Sequence, residues 1–244
     1  YFYVGFSAIN CINSALTMAC KDQSSIVQIL DLPCGYGRIT RWLAAAFPDA
    51  EITACDLDKD GVDFCRDQFG ANPVYSDINP EKVHFVQKFD LIWCGSLFTH
   101  LNNDRWIQFF KFFNSILNTD GIFIFTTHGR YVALRWNKGF DYGLSHEIFK
   151  KVVNDFENSG FGYHDYYSTT GYGVSLSKPS YVFTALESFS DLRIVMFQEK
   201  GWDHHHDVIA CYKDNKFGDM FFDYQSFSAQ NSDERIKNIK WSSR

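Results

Sequence analysis

Histidines and a glycine-broken turn carry most of the chemistry this sequence offers. His100, His128 and the run His204, His205 and His206 fall where a sheet would present them at one rim. Imidazole titrates near neutrality, so any of them can take a proton at working pH. His128 is our first choice for a general base, supported by Asp203 or the neighbouring His204. The histidine run also raises the question of a metal. We expect none, because consecutive histidines do not readily all face one ion and the nearby carboxylates form no convincing set. The second feature is Ile29 to Thr40, ILDLPCGYGRIT. It reads as a strand, a turn at Gly35 and Gly37, and a helix start. Glycine lets backbone approach a ligand closely, and the first helical turn offers free N–H groups. Asp56 follows roughly 20 residues later at the end of a second strand, where a carboxylate accepts the hydroxyls of a ribose.

The ligand can be narrowed from the same residues. A dinucleotide loop has a third glycine, and Thr40 stands in its place. Asp31 at the mouth would repel a pyrophosphate but suits an amino group. A ribose-bearing ligand with an amino group points to S-adenosylmethionine (SAM) and disfavours a nicotinamide oxidoreductase. Asp56 to Gly61, with Asp67, also matches a calcium-binding loop in outline. The preceding EITAC reads as a strand, however, where such a loop needs a helix. We therefore expect Asp58 and Asp60 to start a helix instead.

These residues need elements to hold them. Apolar spacing predicts a helix over residues 1–20, then strands at Ile26–Leu32, Glu51–Cys55, Val74–Tyr75, Phe89–Trp93 and Ile122–Thr127. Helices at Arg38–Phe47, Gly61–Phe69 and Asp104–Leu117 alternate with them, and Asp120-Gly121 reads as a turn. Such alternation implies a parallel sheet with helices on both faces. It breaks after Thr127. Residues 129–176 read as an insertion with a helix near Leu144–Phe156 and an antiparallel pair, FGYHDYY and YGVSLS. Ser177 should cap a helix that opens on Pro179 and runs to about Ser188. Strands at Leu192–Phe197 and Val208–Tyr212 close the domain through a hairpin loop, GWDHHHD. Residues 1–213 are expected to form one domain and 214–244 a polar appendage.

At this point the sequence resembles the class I SAM-dependent methyltransferases. DLPCGYG resembles that family's D-x-G-x-G-x-G loop, with Pro33 in place of the first glycine. ACDLD resembles the acidic end of its second strand, FDLIWCGSLFTHL its fourth-strand motif, and LNTDGIFIFTT its fifth. The resemblance implies an α/β Rossmann-like fold, with a seven-stranded, mostly parallel sheet whose last strand is reversed and a lid insertion at 129–176. It implies SAM as cofactor and S-adenosylhomocysteine as product. Asp31, Cys34, Gly35 and Gly37 would hold the methionine part. Asp56 would bind the ribose, with Leu57 beside the adenine and Asp77 near its amino group. Trp93, Cys94 and Gly95 would lie by the transferred methyl. The likeness extends to bacterial methyltransferases that accompany glycosyltransferases, which implies a small-molecule or sugar acceptor and O-methylation. A natural-product methyltransferase and a non-catalytic SAM-binding domain remain alternatives.

Composition sets the outer bounds. The 244 residues carry a net charge of −6 and no basic stripe, which argues against a nucleic-acid partner. Seven cysteines without C-x-x-C spacing read as reduced thiols, as expected of a cytoplasmic protein. No apolar run reaches the roughly 20 residues of a membrane span. An opening Tyr1 in place of Met leads us to expect a true start upstream. Aromatic residues make up 18% of the chain, and their excess is expected over the acceptor site, in the insertion and the first helix.

Overall fold

The computed structural model describes residues 1–136, 138, 142–167 and 169–214. The tail expected as an appendage lies outside the described residues beyond Asp214. The chain opens with helix α1 (Phe2–Met18), followed by strand β1 (Gln28–Asp31), α2 (Thr40–Ala46), β2 (Glu51–Asp56), α3 (Lys59–Phe69), β3 (Asn72–Tyr75), β4 (Phe89–Cys94), α4 (Asn103–Ile116) and β5 (Leu117–His128). An added segment contributes α5 (Arg130–Trp136), α6 (His146–Ser159), β6 (Phe161–Asp165) and β7 (Gly173–Ser177). Helix α7 (Pro179–Glu187) and strands β8 (Leu192–Trp202) and β9 (His206–Lys213) complete it. The order β3-β2-β1-β4-β5-β9-β8 puts β1 to β5 parallel, with β9 running against both neighbours. The sheet is therefore the Rossmann-like one expected, with its last strand reversed. The carboxyl ends of β1, β2, β4, β5 and β8 share one rim, where ligands bind in open α/β sheets.

The strands alternate their side chains between two faces, and both faces are covered. On one, Ile29, Leu91, Ile122 and Ile124 pack with Ile12, Leu43 and Val62 from α1, α2 and α3. On the other, Leu30, Ile92, Phe123 and Phe125 pack with Trp106, Phe110 and Phe113 of α4. Here the aromatic excess finds a different home from the one expected. Phe98 stacks on Phe110 at 4.6 Å and Phe113 on Phe123 at 4.8 Å, all fully buried. Each such side chain contributes about 1.5–3 kcal/mol through burial. These phenylalanines thus fill core, while Tyr1, Tyr36 and Tyr172 lie at the rim.

Three local expectations change. Asp120-Gly121 is not a turn between elements. β5 is continuous from Leu117, and the extra residues form a bulge between the Phe89 and Leu91 pairings, with Asp120 at φ 64°. Ser177 does not cap α7. It ends β7, so Lys178 becomes the N-cap and no side chain caps the helix. α5 is an element that the spacing did not suggest. Elsewhere local chemistry is explicit: Asp58 caps α3 by accepting from the N–H groups of Asp60 and Gly61. That is the helix-start role foreseen for it. The added segment has its own small core, including Trp136, Phe149, Val152 and Leu176. Its strand β7 reaches back to the loop after β4. Gly173 and Ser175 donate their N–H groups to the carbonyls of His100 and Thr99.

Candidate active site

The rim opens as one crevice with two lobes, each of about 490 Å³. They share Pro33, Asp56, Ser96 and Tyr172. The first lobe holds the glycine loop, Trp93, Gly95, His100 and Trp202. The second holds Leu57, Ser76, Asp77, Leu101 and Arg105. Asp56 sits at the junction, where a ribose between an amino acid and a base would lie. Its Oδ2 accepts the Gly35 N–H at 2.8 Å, and its Oδ1 accepts that of Asp58 at 3.0 Å. Each oxygen keeps a second lone pair for a hydroxyl.

The glycine loop is shaped by packing as well as by its ligand. Gly35 and Gly37 have φ of 48° and 71°, a region that side chains disfavour. A Cβ on Gly37 would lie 2.4 Å from the ring of Phe69 in α3. A Cβ on Gly61 would lie 2.6 Å from the Gly35 carbonyl oxygen. Two glycines on different elements therefore allow α3 to press on the loop, and Gly61 belongs to the site's support although its sequence context gave no sign of it.

Asp31 lies beneath the loop and is fully buried. Thr40 donates its hydroxyl to Oδ2 at 2.6 Å, while Oδ1 has no partner. Burial pushes this carboxyl up to about 8. An orphaned carboxylate oxygen beside the crevice is what the ammonium group of a methionine moiety would satisfy. Thr40, which broke the dinucleotide pattern, is here the residue that orients Asp31. Cys34, Gly35, Asp56, Trp93 and Gly95 line the first lobe, and Leu57 and Asp77 the second. Gly37 acts one layer back against Phe69. Cys94 is displaced from the crevice. It alternates to the opposite face of the sheet, is fully buried in the α4 core, and burial raises its thiol well above the usual range.

The histidines separate into different roles. His100 lines the first lobe and stacks on Tyr172 at 4.9 Å. Its Nδ1 is 2.7 Å from the Gly173 carbonyl, so Nδ1 carries the hydrogen and Nε2 the lone pair. Desolvation lowers its pKa and keeps that lone pair available. His128 is nearly fully buried behind it, with ring centroids 6.4 Å apart, and does not line either lobe. Burial, reinforced by His100 and His205, holds it well below the ordinary imidazole range. Asp203 and His204 do not support His128. His204 is exposed, stacks on Tyr3, and its Nε2 is 2.6 Å from the tyrosine hydroxyl. Asp203 offers its backbone carbonyl to His205 Nδ1 at 2.7 Å. Both have positive φ, and the His205 N–H closes the turn on Trp202. Hairpin-turn geometry, which favours φ > 0 at both central residues, accounts for their placement.

Ser96, His100, Tyr172 and Trp202 are the rim residues that motif reasoning missed or undervalued. Ser96 has φ 64° and donates its N–H to the Thr126 hydroxyl at 2.8 Å. Trp202 sits edge-on against Trp93 at 5.5 Å and donates its indole N–H to the Val4 carbonyl of α1. A G-W pair before a histidine hairpin was the available signal for it.

Comparison with known proteins agrees with this architecture. A methyltransferase-domain family model matches residues 29–121. A malonyl-[acyl-carrier protein] O-methyltransferase of Acetivibrio thermocellus is 34% identical over 123 residues, 48% of this chain and 41% of that protein. Another, from Ilyobacter polytropus, is 28% identical over 149 residues, 55% of this chain and 56% of that one. The match thus spans about half the length of these curated relatives. Among solved structures, an S-adenosylmethionine-dependent methyltransferase from Clostridium acetobutylicum shares the fold at TM-score 0.59 and 18% identity, covering 88% of this chain and 93% of its own. The plantazolicin methyltransferase BpumL, solved with S-adenosylhomocysteine, does so at 0.60 and 12%, covering 87% and 84%. All seven cysteines are free thiols, and no helix among the described residues is long and apolar enough to cross a membrane. Residues 29–121 thus match a methyltransferase domain, and the sheet order is the fold shared with solved SAM-dependent methyltransferases.

Proposed function

We propose that this chain is a SAM-dependent O-methyltransferase acting on a hydroxyl of a small or sugar-like acceptor, with His100 as the general base. The cofactor, when bound, supplies an electrophilic methyl group on a sulfonium sulfur. Asp31 and the glycine loop would hold its amino-acid end, Asp56 its ribose, and Leu57 with Asp77 the base in the second lobe. The observation that carries the reading is His100 itself. It shares a lobe with the glycine loop, and the Gly173 carbonyl fixes its tautomer so that Nε2 is free to accept a proton. Tyr172 beside it and Trp202 opposite supply ring surface that would exclude water and orient the acceptor.

A second reading has its own support. The curated relatives methylate a malonyl group on an acyl carrier protein, and Arg38 lines the first lobe, where it could pair with a carboxylate. A carboxylate acceptor needs no base. Methyl transfer from labelled SAM to a panel of sugars, phenols and malonyl thioesters separates the two. The hydroxyl reading expects turnover on sugars or phenols that is lost in His100→Ala. Turnover confined to malonyl thioesters and insensitive to His100→Ala would replace it with the carboxylate reading.

A further inference from the structure

Behind the crevice the described residues contain a cluster that the proposed reaction does not use. His128 of β5 and His206 of β9 are direct partners across the antiparallel ladder, with ring centroids 4.8 Å apart. Opposed side chains in such a ladder are held close by the backbone alone. The hairpin turn folds His205 back on them, 4.2 Å from His206 and 6.0 Å from His128. Of the three consecutive histidines, His204 points away towards Tyr3, while His205 and His206 converge with His128. Donor nitrogens, one from each of the three residues, all lie within 4.8 Å of one another.

Each of the three histidines has a hydrogen-bond partner on one of its ring nitrogens. His128 bonds the Ser175 carbonyl, and its Nδ1 is buried without a partner. His205 Nδ1 donates to the Asp203 carbonyl at 2.7 Å. His206 Nδ1 lies 3.2 Å from the Thr126 hydroxyl. A backbone carbonyl or hydroxyl on the far nitrogen is the usual support that orients a metal-binding imidazole.

We propose that His128, His205 and His206 form a binding site for a divalent cation of the zinc class. Imidazole sets of this kind suit zinc, cobalt, nickel or copper in preference to magnesium or calcium. Zn–N bonds of about 2.0–2.1 Å require the nitrogens to draw in to roughly 3.4 Å. Three protein ligands leave the fourth position of a tetrahedral ion open, as in catalytic rather than structural sites. His206 packs on Trp202 at 4.8 Å, and Trp202 lines the first lobe.

The test uses the full chain, untagged and stripped with a chelator, titrated with Co²⁺ and then with Zn²⁺. One equivalent of Co²⁺ should bind with the visible ligand-field bands of a low-coordinate site, and Zn²⁺ should displace it. His128→Gln and His205→Gln should each weaken binding at least about tenfold, while His204→Ala and His84→Ala should not change it. S-adenosylhomocysteine binding, measured on each variant, confirms that the fold and the cofactor lobe persist independently of the metal. His205 is partly exposed on the hairpin, so its variant keeps the proposal open to refutation should His128→Gln fail to fold. Absence of stoichiometric binding, or binding indifferent to His205→Gln, would overturn the site.

Discussion

The two sides of the crevice are built on different plans. The side proposed for the cofactor is made by backbone at the ends of adjacent parallel strands, with Asp31 and Asp56 fixed by the sheet register and the glycine loop pressed into place by α3. The side proposed for the acceptor is made by side chains that meet from distant segments. His100 follows β4, Tyr172 precedes β7, Trp202 ends β8, and α1 anchors that tryptophan. One side is a short stretch of chain with a preset shape. The other is an assembly, and its chemistry depends on contacts between residues tens of positions apart. The difference can be broken experimentally, because each side should fail in its own way.

The largest effect is expected on the acceptor side. His100→Ala should lower kcat by about 10²–10⁴ on a hydroxyl acceptor, the usual contribution of a general base. S-adenosylhomocysteine affinity, read by calorimetry, should stay within about threefold of the parent. A loss of cofactor affinity equal to the loss of turnover would place His100 on the cofactor side and erase the division.

Asp31→Asn should do the reverse. Removing one partner of a buried charge pair costs about 3–5 kcal/mol, so SAM affinity should fall by about 10² or more. The pH dependence has a defined sign. The Asp31 carboxyl is at about 8 in the ligand-free protein and near 4 when unfolded. Its burial therefore costs nothing below pH 4, and the cost grows as pH rises towards 8. Ligand-free Asp31→Asn should be more stable than the parent above pH 4, by a margin that widens up to about pH 8 in thermal melts. SAM affinity of the parent should rise with pH over the same window, because the ammonium pairs with the ionised carboxylate. A pH-independent affinity would remove Asp31 from the cofactor site.

This division also explains what could be read from sequence. The strand-turn-helix at Ile29 to Thr40 and the acidic end of β2 are local patterns, so Asp31, Cys34, Gly35, Asp56 and Leu57 could be placed from spacing and resemblance. Gly61 could not, because its constraint is the carbonyl of Gly35 on another element. His128 was favoured over His100 because it ends a strand. Our proposal of His100 rests on the Gly173 carbonyl reaching across from β7 and on the depth of His128 behind the lobe, and neither leaves a trace in local sequence. Cys94 was misplaced for a simpler reason: strand alternation sends it to the opposite face from Trp93. Gly61→Ala tests the long-range part directly. With the added methyl 2.6 Å from a backbone oxygen, α3 must shift from the loop. We expect a stability loss of about 1–3 kcal/mol by denaturant unfolding together with weaker S-adenosylhomocysteine binding. Stability lost with cofactor affinity intact would show that the loop holds its shape without α3.

The smallest effect is expected at His204, which distinguishes a turn residue from the chemistry beside it. His204 directly precedes two members of the histidine cluster, His205 and His206, yet points away from them, towards Tyr3 at the surface. Its φ of 56° follows Asp203 at 48°, a pair that hairpin turns fill most readily with Asp-Gly. His204→Gly creates that pair. It loses one exposed hydrogen bond, worth about 0.5–1.5 kcal/mol, and relieves a backbone conformation that a side chain disfavours, so the two terms nearly cancel. Turnover should remain within about twofold of the parent, and the thermal midpoint should move by only a few degrees in either direction. The same substitution one residue later, His205→Gly, removes a ring contact with His206 and should not be neutral for Co²⁺ binding. If His204→Gly instead abolished turnover, the acceptor side would extend through the surface of the hairpin, and Tyr3 of α1 would have to be counted within it.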